Sequence, residues 1–313
     1  PQLIEMGALE PVDAQVASWA GKADLGDNLL DINKGHDGKQ YYLPLQYVVI
    51  YLYYRADLFQ KAGLQPPATC EAFVDAAKKL TVTAAVNGGT PQYGFGMRGG
   101  RGGQDNWGPF VLSQAAMTPA ELGSPKAVAA NQMYVDLMRK DKSVPPSAPN
   151  DGFNEIINGF KSGQTAMIFH HIGSSKTMHD THGDKVSAVP VPACGGKRWT
   201  SFGDESNALF KQSKVKDAAW KWMSYLSGEG NVKFVGATGQ MTVTKSGVSQ
   251  VAFQPRFAKA TSDSLPFAAI LPPVPQTSDF VSNVWPTNMQ RALNGEITSA
   301  QMMEAIAKHY ATK

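Results

Sequence analysis

Phe153-Asn154-Glu155-Ile156-Ile157-Asn158-Gly159-Phe160-Lys161-Ser162-Gly163, continuing as Gln164-Thr165-Ala166-Met167-Ile168-Phe169-His170-His171-Ile172-Gly173, decides how the chain is read. Phe153, Ile156, Ile157 and Phe160 recur at helical spacing, Lys161 falls in the last turn, and Gly163 stands where a left-handed helix end needs it. After Gln164 and Thr165, Ala166 to Phe169 form a short apolar run, the pattern of a strand buried on both faces of a parallel sheet and covered by helices. The run ends in His170 and His171, and in open α/β sheets ligands bind at the carboxyl ends of strands.

The composition agrees with a large α/β body. With 313 residues, 42% of them apolar, the chain can bury a sizeable core, and its length suggests two domains. A formal charge of +3 and only 18% charged residues, with no dense Lys or Arg run, exclude nucleic acid as a partner. No window is apolar for the eighteen or so residues that a membrane helix requires. Pro1 to Pro11 reads as a helix end, a Gly stop and a turn, without signal-peptide zones, so Pro1 is expected to be an interior point of a longer protein. Cys70 and Cys194 allow one bridge but demand none; neither has a second ligand at metal spacing, and two structural thiols are expected.

Further signals lie along the chain. Tyr41 to Leu45 and Gln46 to Tyr54 read as two strands that change direction near Pro44, which removes a ladder donor. Thr69 is a good cap for a helix with Phe73, Ala76, Ala77 and Leu80 on one face. Arg98-Gly99-Gly100-Arg101-Gly102-Gly103-Gln104-Asp105-Asn106-Trp107 lacks both the Gly-Lys-Ser/Thr ending and the helix-opening glycines of the phosphate-binding loops. Its guanidiniums, amides and indole instead suit a polyhydroxylated ligand. A zinc site made from His170, His171, His179 and His182 is disfavoured, because adjacent residues of a strand point to opposite faces.

The "TAMIF" segment, Tyr42 to Phe59, residues 202–247 and the ending from Ala292 to Lys308 together resemble the family 1 extracellular solute-binding proteins that serve ABC importers of sugars and polyols. The resemblance implies a two-lobe, periplasmic-binding-protein-like (type II) α/β fold with a hinge. The first lobe would comprise 1–47 and 200–258, without its opening strands, and the second 48–199 and 259–313. It implies an interlobe ligand site drawn from Gln46, Tyr47, Arg98, Arg101, Gln104, Asn106, Trp107, His170, His171, Asp204, Glu205, Asn207 and Trp285. Trp285 could equally be packed. Asp204-Glu205-Ser206 departs from the family's Gly-Trp-Gly and points away from an acidic ligand. A small sugar or polyol and membrane permease subunits are the implied partners. Neither catalysis, cofactor nor metal is implied; the full-length protein would be monomeric, extracytoplasmic and exported by a signal peptide absent here. Without the opening strands, weak binding and self-association through bare strand edges are expected. Two alternatives stand beside this reading: a glycan hydrolase using Asp204 and Glu205, and a binding protein for another solute, such as a phosphorylated polyol held by Arg98 and Arg101.

Overall fold

The computed structural model describes residues 2–312, and the side chain of Asp204 lies outside that description. Its strands are β1 (Tyr42–Val49), β2 (Tyr51–Arg55), β3 (Tyr93–Phe95), β4 (Thr165–His170), β5 (Val186–Val189), β6 (Thr200–Ala208) and β7 (Ala268–Ala269). They form two sheets, ordered β1-β6-β7 and β3-β4-β2-β5.

The helix Phe153–Lys161 ends as its sequence demands, with Gly163 at φ +78°. β4 follows and is buried at every position. Its side chains alternate between two cores. Met167 and Phe169 join Leu52, Phe73 and Phe95 on one face, while Ile168 joins Tyr51, Tyr53, Phe160 and Phe257 on the other. The sheet is mixed rather than parallel, since β3 runs parallel to β4 but β2 runs antiparallel. Helices on both faces explain the apolar run whatever direction the neighbouring strands take.

The chain passes between the sheets at Ile50. The change of direction expected at Pro44 is not there, because β1 is an edge strand that tolerates the missing donor and absorbs it as a register shift between Pro44 and Gln46. Val48 and Val49 still pair with Gly203 and Phe202, so the first sheet extends past the border expected at 47. The helix Pro255–Ser264 packs on β5 and β2, with Phe257 fully buried in the second sheet's core. The border expected at 258 therefore cuts through a second-sheet helix.

Cys70 and Cys194, expected as thiols, are bonded to each other. The Cys70 N–H donates to the Ala193 carbonyl at 3.1 Å and the Ala193 N–H to the Ala68 carbonyl at 2.9 Å. This backbone pairing, across a separation of 124 residues, brings the sulfurs together and could not be read from local spacing.

Candidate functional site

The tip of β4 carries a compact cluster of rings. Phe153, at the start of its helix, has its ring centroid 4.5 Å from that of His170 and 5.9 Å from that of His171. The two imidazoles are themselves 4.5 Å apart. They were expected on opposite faces, but β4 stops at His170, so strand alternation does not reach His171. His170 shares a 2.9 Å hydrogen bond with Ser174 Oγ, and His171 Nδ1 accepts the Gly173 N–H at 3.1 Å. Burial, reinforced by the charge of Arg98, pulls His171 down to about 4. Burial, with His171 and Arg98 adding to it, holds His170 well below the ordinary histidine range. Both imidazoles are consequently neutral near pH 7.

Arg98 lies with its guanidinium carbon 5.8 Å from the centre of the Phe153 ring, within cation–π range. The Gly-rich loop folds directly over it. A Cβ on Gly102 would overlap the guanidinium, and one on Gly103 would meet the Trp285 ring at 2.7 Å. Asp105 lies in the same loop; burial pushes its carboxyl above the usual range against a hydrogen bond from Ser201 and the charge of Arg98. Four polar atoms around this loop are buried without a hydrogen-bond partner among the described residues: Arg98 Nε, Gln104 Oε1, Asn106 Oδ1 and Trp285 Nε1. Each such atom costs about 1–3 kcal/mol, which makes four in one place unusual for a merely structural loop.

The first sheet supplies the facing wall. Gln46 Nε2 donates to Glu205 Oε2 at 2.7 Å, and Tyr47 stacks on Phe202 with ring centroids 5.6 Å apart. Gln240 reaches across from this side and lies against the Gly173 backbone, where a Cβ would overlap its amide nitrogen.

The model of the bacterial extracellular solute-binding proteins matches residues 1–233. The chain belongs to this family. It is 27% identical over 263 residues to a binding protein of Brucella abortus, covering 79% of this chain and 62% of the relative. It is 26% identical over 284 residues to a mannitol-binding protein of Pseudomonas aeruginosa, covering 84% of this chain and 61% of that protein. The chain thus spans about three fifths of the length of these curated relatives. Among solved structures, an ABC transporter solute-binding protein of Thermotoga lettingae bound with α-D-tagatose superposes with a TM-score of 0.87 at 24% identity, covering 99% of this chain and 81% of that one. One from Agrobacterium vitis with bound D-mannitol gives 0.76 at 24% identity, covering 98% and 81%. These likenesses establish the two-lobe fold. The solute-binding family is one of binding proteins, not enzymes, so the hydrolase alternative falls.

Within this solute-binding fold the candidate residues divide. Arg98, His170 and His171 come together, and Gln104, Asn106 and Asn207 each hold a buried polar atom without a partner among the described residues. Asn106 also donates to the Phe169 carbonyl at 3.2 Å, fastening the loop's helix to β4. Trp107 belongs to the core. It is fully buried and its indole N–H donates to Asn131 Oδ1 at 2.7 Å, leaving it neither an open face nor a donor for ligand. Trp285 is fully buried beside it, ring centroids 6.2 Å apart. Arg101 and Glu205 are exposed, and Asp204 is a candidate whose side chain lies outside the described residues. His179 and His182 turn elsewhere, to Arg256 and the Phe160 carbonyl.

Sequence reasoning missed Phe153, Asp105 and Gln240. Phe153 was assigned to the helix's apolar face, yet it remains 41% exposed. Its place at the first helical position was the available signal, because the first turn projects beyond the sheet that the rest of the face covers.

Proposed function

We propose that this chain captures a small neutral sugar or polyol between its lobes and delivers it to the permease subunits of an ABC importer. The observation that carries the reading is the cluster of Arg98, Phe153, His170 and His171, bordered by buried polar atoms without partners among the described residues. Neutral imidazoles both donate and accept, as hydroxyl pairs require, and the open Phe153 face can cover sugar C–H groups. Asp105 beside Arg98 weighs against an anionic ligand. The mannitol, tagatose and D-mannitol of the relatives favour the same class. Lobe closure would exclude water from these groups.

The family's extracellular character agrees with the Cys70–Cys194 bond, which persists in oxidising compartments. We assign the protein to the extracytoplasmic space, exported by a signal peptide and working as a monomer. Its first lobe carries β1, β6 and β7, and its second carries β2 to β5. Titration calorimetry with a panel of sugars and polyols tests the assignment. Binding of at least one is expected; no binding within the panel, with an unrelated solute bound instead, overturns it.

A further inference from the structure

Two tyrosines of β2 reach the ring cluster from beneath it. Residues two apart on a strand share a face, so Tyr51 and Tyr53 both turn into the core that holds Phe160, Ile168 and Phe257, while Leu52 between them joins the other core. Both phenols are fully buried, with ring centroids 4.9 Å apart. Their hydroxyls lie 2.8 Å from each other, and the Tyr53 hydroxyl donates to the His171 carbonyl at 3.0 Å. A carbonyl can only accept, so Tyr53 spends its one proton on His171 and must accept the proton of Tyr51. The bonds therefore run one way, from Tyr51 through Tyr53 to the backbone just past the end of β4.

That backbone has no strand partner, because the pairing of β2 with β4 ends at Tyr51 and His170. Tyr53 and the Ser174 N–H, which donates at 3.2 Å, hold the His171 carbonyl instead. The His171 ring is fixed separately. Its Nδ1 accepts the Gly173 N–H, and a backbone N–H can only donate, so Nδ1 carries no proton. The ring is neutral near pH 7, which leaves its single proton on Nε2. No described residue bonds to that N–H.

We propose that Tyr53 is the positioning residue of the ring cluster, its bond to the His171 carbonyl holding the turn so that Nε2–H meets the ligand as a fixed donor. The ligand atom opposite it is a hydroxyl oxygen of the neutral sugar or polyol. The inference rests on the ring cluster being the solute site. Tyr51 orients Tyr53 and makes no hydrogen bond to His171.

The test pairs calorimetric titration with mannitol and nitrogen NMR of the histidine rings in the parent, Tyr53→Phe and Tyr51→Phe. Each substitution removes one buried hydroxyl from the same core and keeps the ring, so a purely structural role lowers both thermal midpoints and leaves the two mannitol affinities equal. Tyr53→Phe is expected to weaken mannitol binding by about tenfold, and Tyr51→Phe by about twofold or less. In the parent at pH 7, His171 should show its unprotonated nitrogen at Nδ1 alone; Tyr53→Phe, which releases the turn carrying Gly173, should show both tautomers. A parent spectrum with the proton on Nδ1, or shared between the nitrogens, overturns the inference without reference to any ligand. A mannitol affinity in Tyr53→Phe within about twofold of the parent's, or an equal loss in both variants, also overturns it. Failure of the parent to bind any member of a wider sugar and polyol panel, with the proton found on Nε2, overturns the ring cluster as the solute site and with it the ligand role of Tyr53.

Discussion

The two walls of the interlobe cleft are built differently. On the second lobe, Arg98, Phe153, His170 and His171 are packed into one another, and the imidazoles have lost their charge to burial. On the first lobe, Glu205 is exposed and bonded to Gln46, and Tyr47 merely stacks on Phe202. A desolvated wall makes each polar contact worth more, because water no longer competes for it. The second-lobe wall should therefore carry most of the affinity, and the first-lobe wall should mainly complete closure.

The largest effect separates the lobes by stability. Cys70→Ser with Cys194→Ser removes a bridge lying wholly in the second lobe, and should cost it about 2–5 kcal/mol. Calorimetric unfolding should lower a second-lobe transition while leaving the first-lobe contribution in place; a uniform shift would break the distinction. Next, Arg98→Ala should weaken polyol binding by about tenfold to a hundredfold through loss of a partly buried donor and its hold on Phe153, measured by titration. In the parent, histidines whose folded pKa is depressed contribute stability fully above the unfolded value of about 6.5, and lose it as pH falls toward about 4. The thermal midpoint should drop across that window. Arg98→Ala should shrink the drop, since removing a neighbouring positive charge raises both folded pKa values toward the ordinary one.

Phe153→Ala should cost about 1–2 kcal/mol of binding, restored by Phe153→Tyr, if the exposed ring covers a ligand face. Equal binding by all three proteins would reduce Phe153 to a helix residue. The smallest effect is assigned to Glu205→Gln, about twofold or less, because an exposed carboxylate contributes little. A tenfold loss there would reverse the ranking of the walls.

The same contrast explains how much was legible in the sequence. The helix, Gly163 and β4 were readable because local periodicity and a single left-handed residue determine them. The end of β4 stood out as a candidate site because an apolar run breaks there into two histidines. Which aromatic faces the cleft was not readable. Trp107 lies beside two arginines in sequence yet points into the core, while Phe153 continues an apolar stripe yet stands clear of the sheet. Side-chain direction at a loop or a first helical turn is set by distant packing. The pairing of Cys70 with Cys194 depends on distant residues in the same way, and so does the meeting of Gln240 with Gly173.

The Cys70–Cys194 bond also has a topological consequence. It closes a covalent loop that contains β3, β4 and β5, while β2, seated between β4 and β5, enters from outside it. The exposed turn around Val86, 78% open to solvent, lies on that loop. A protease that cuts there leaves one covalent molecule, with the severed pieces tethered at Cys70–Cys194 and β2 of the N-terminal piece still clasped between β4 and β5 of the other. Release of the pieces requires both reduction of the bond and loss of the β2 pairings.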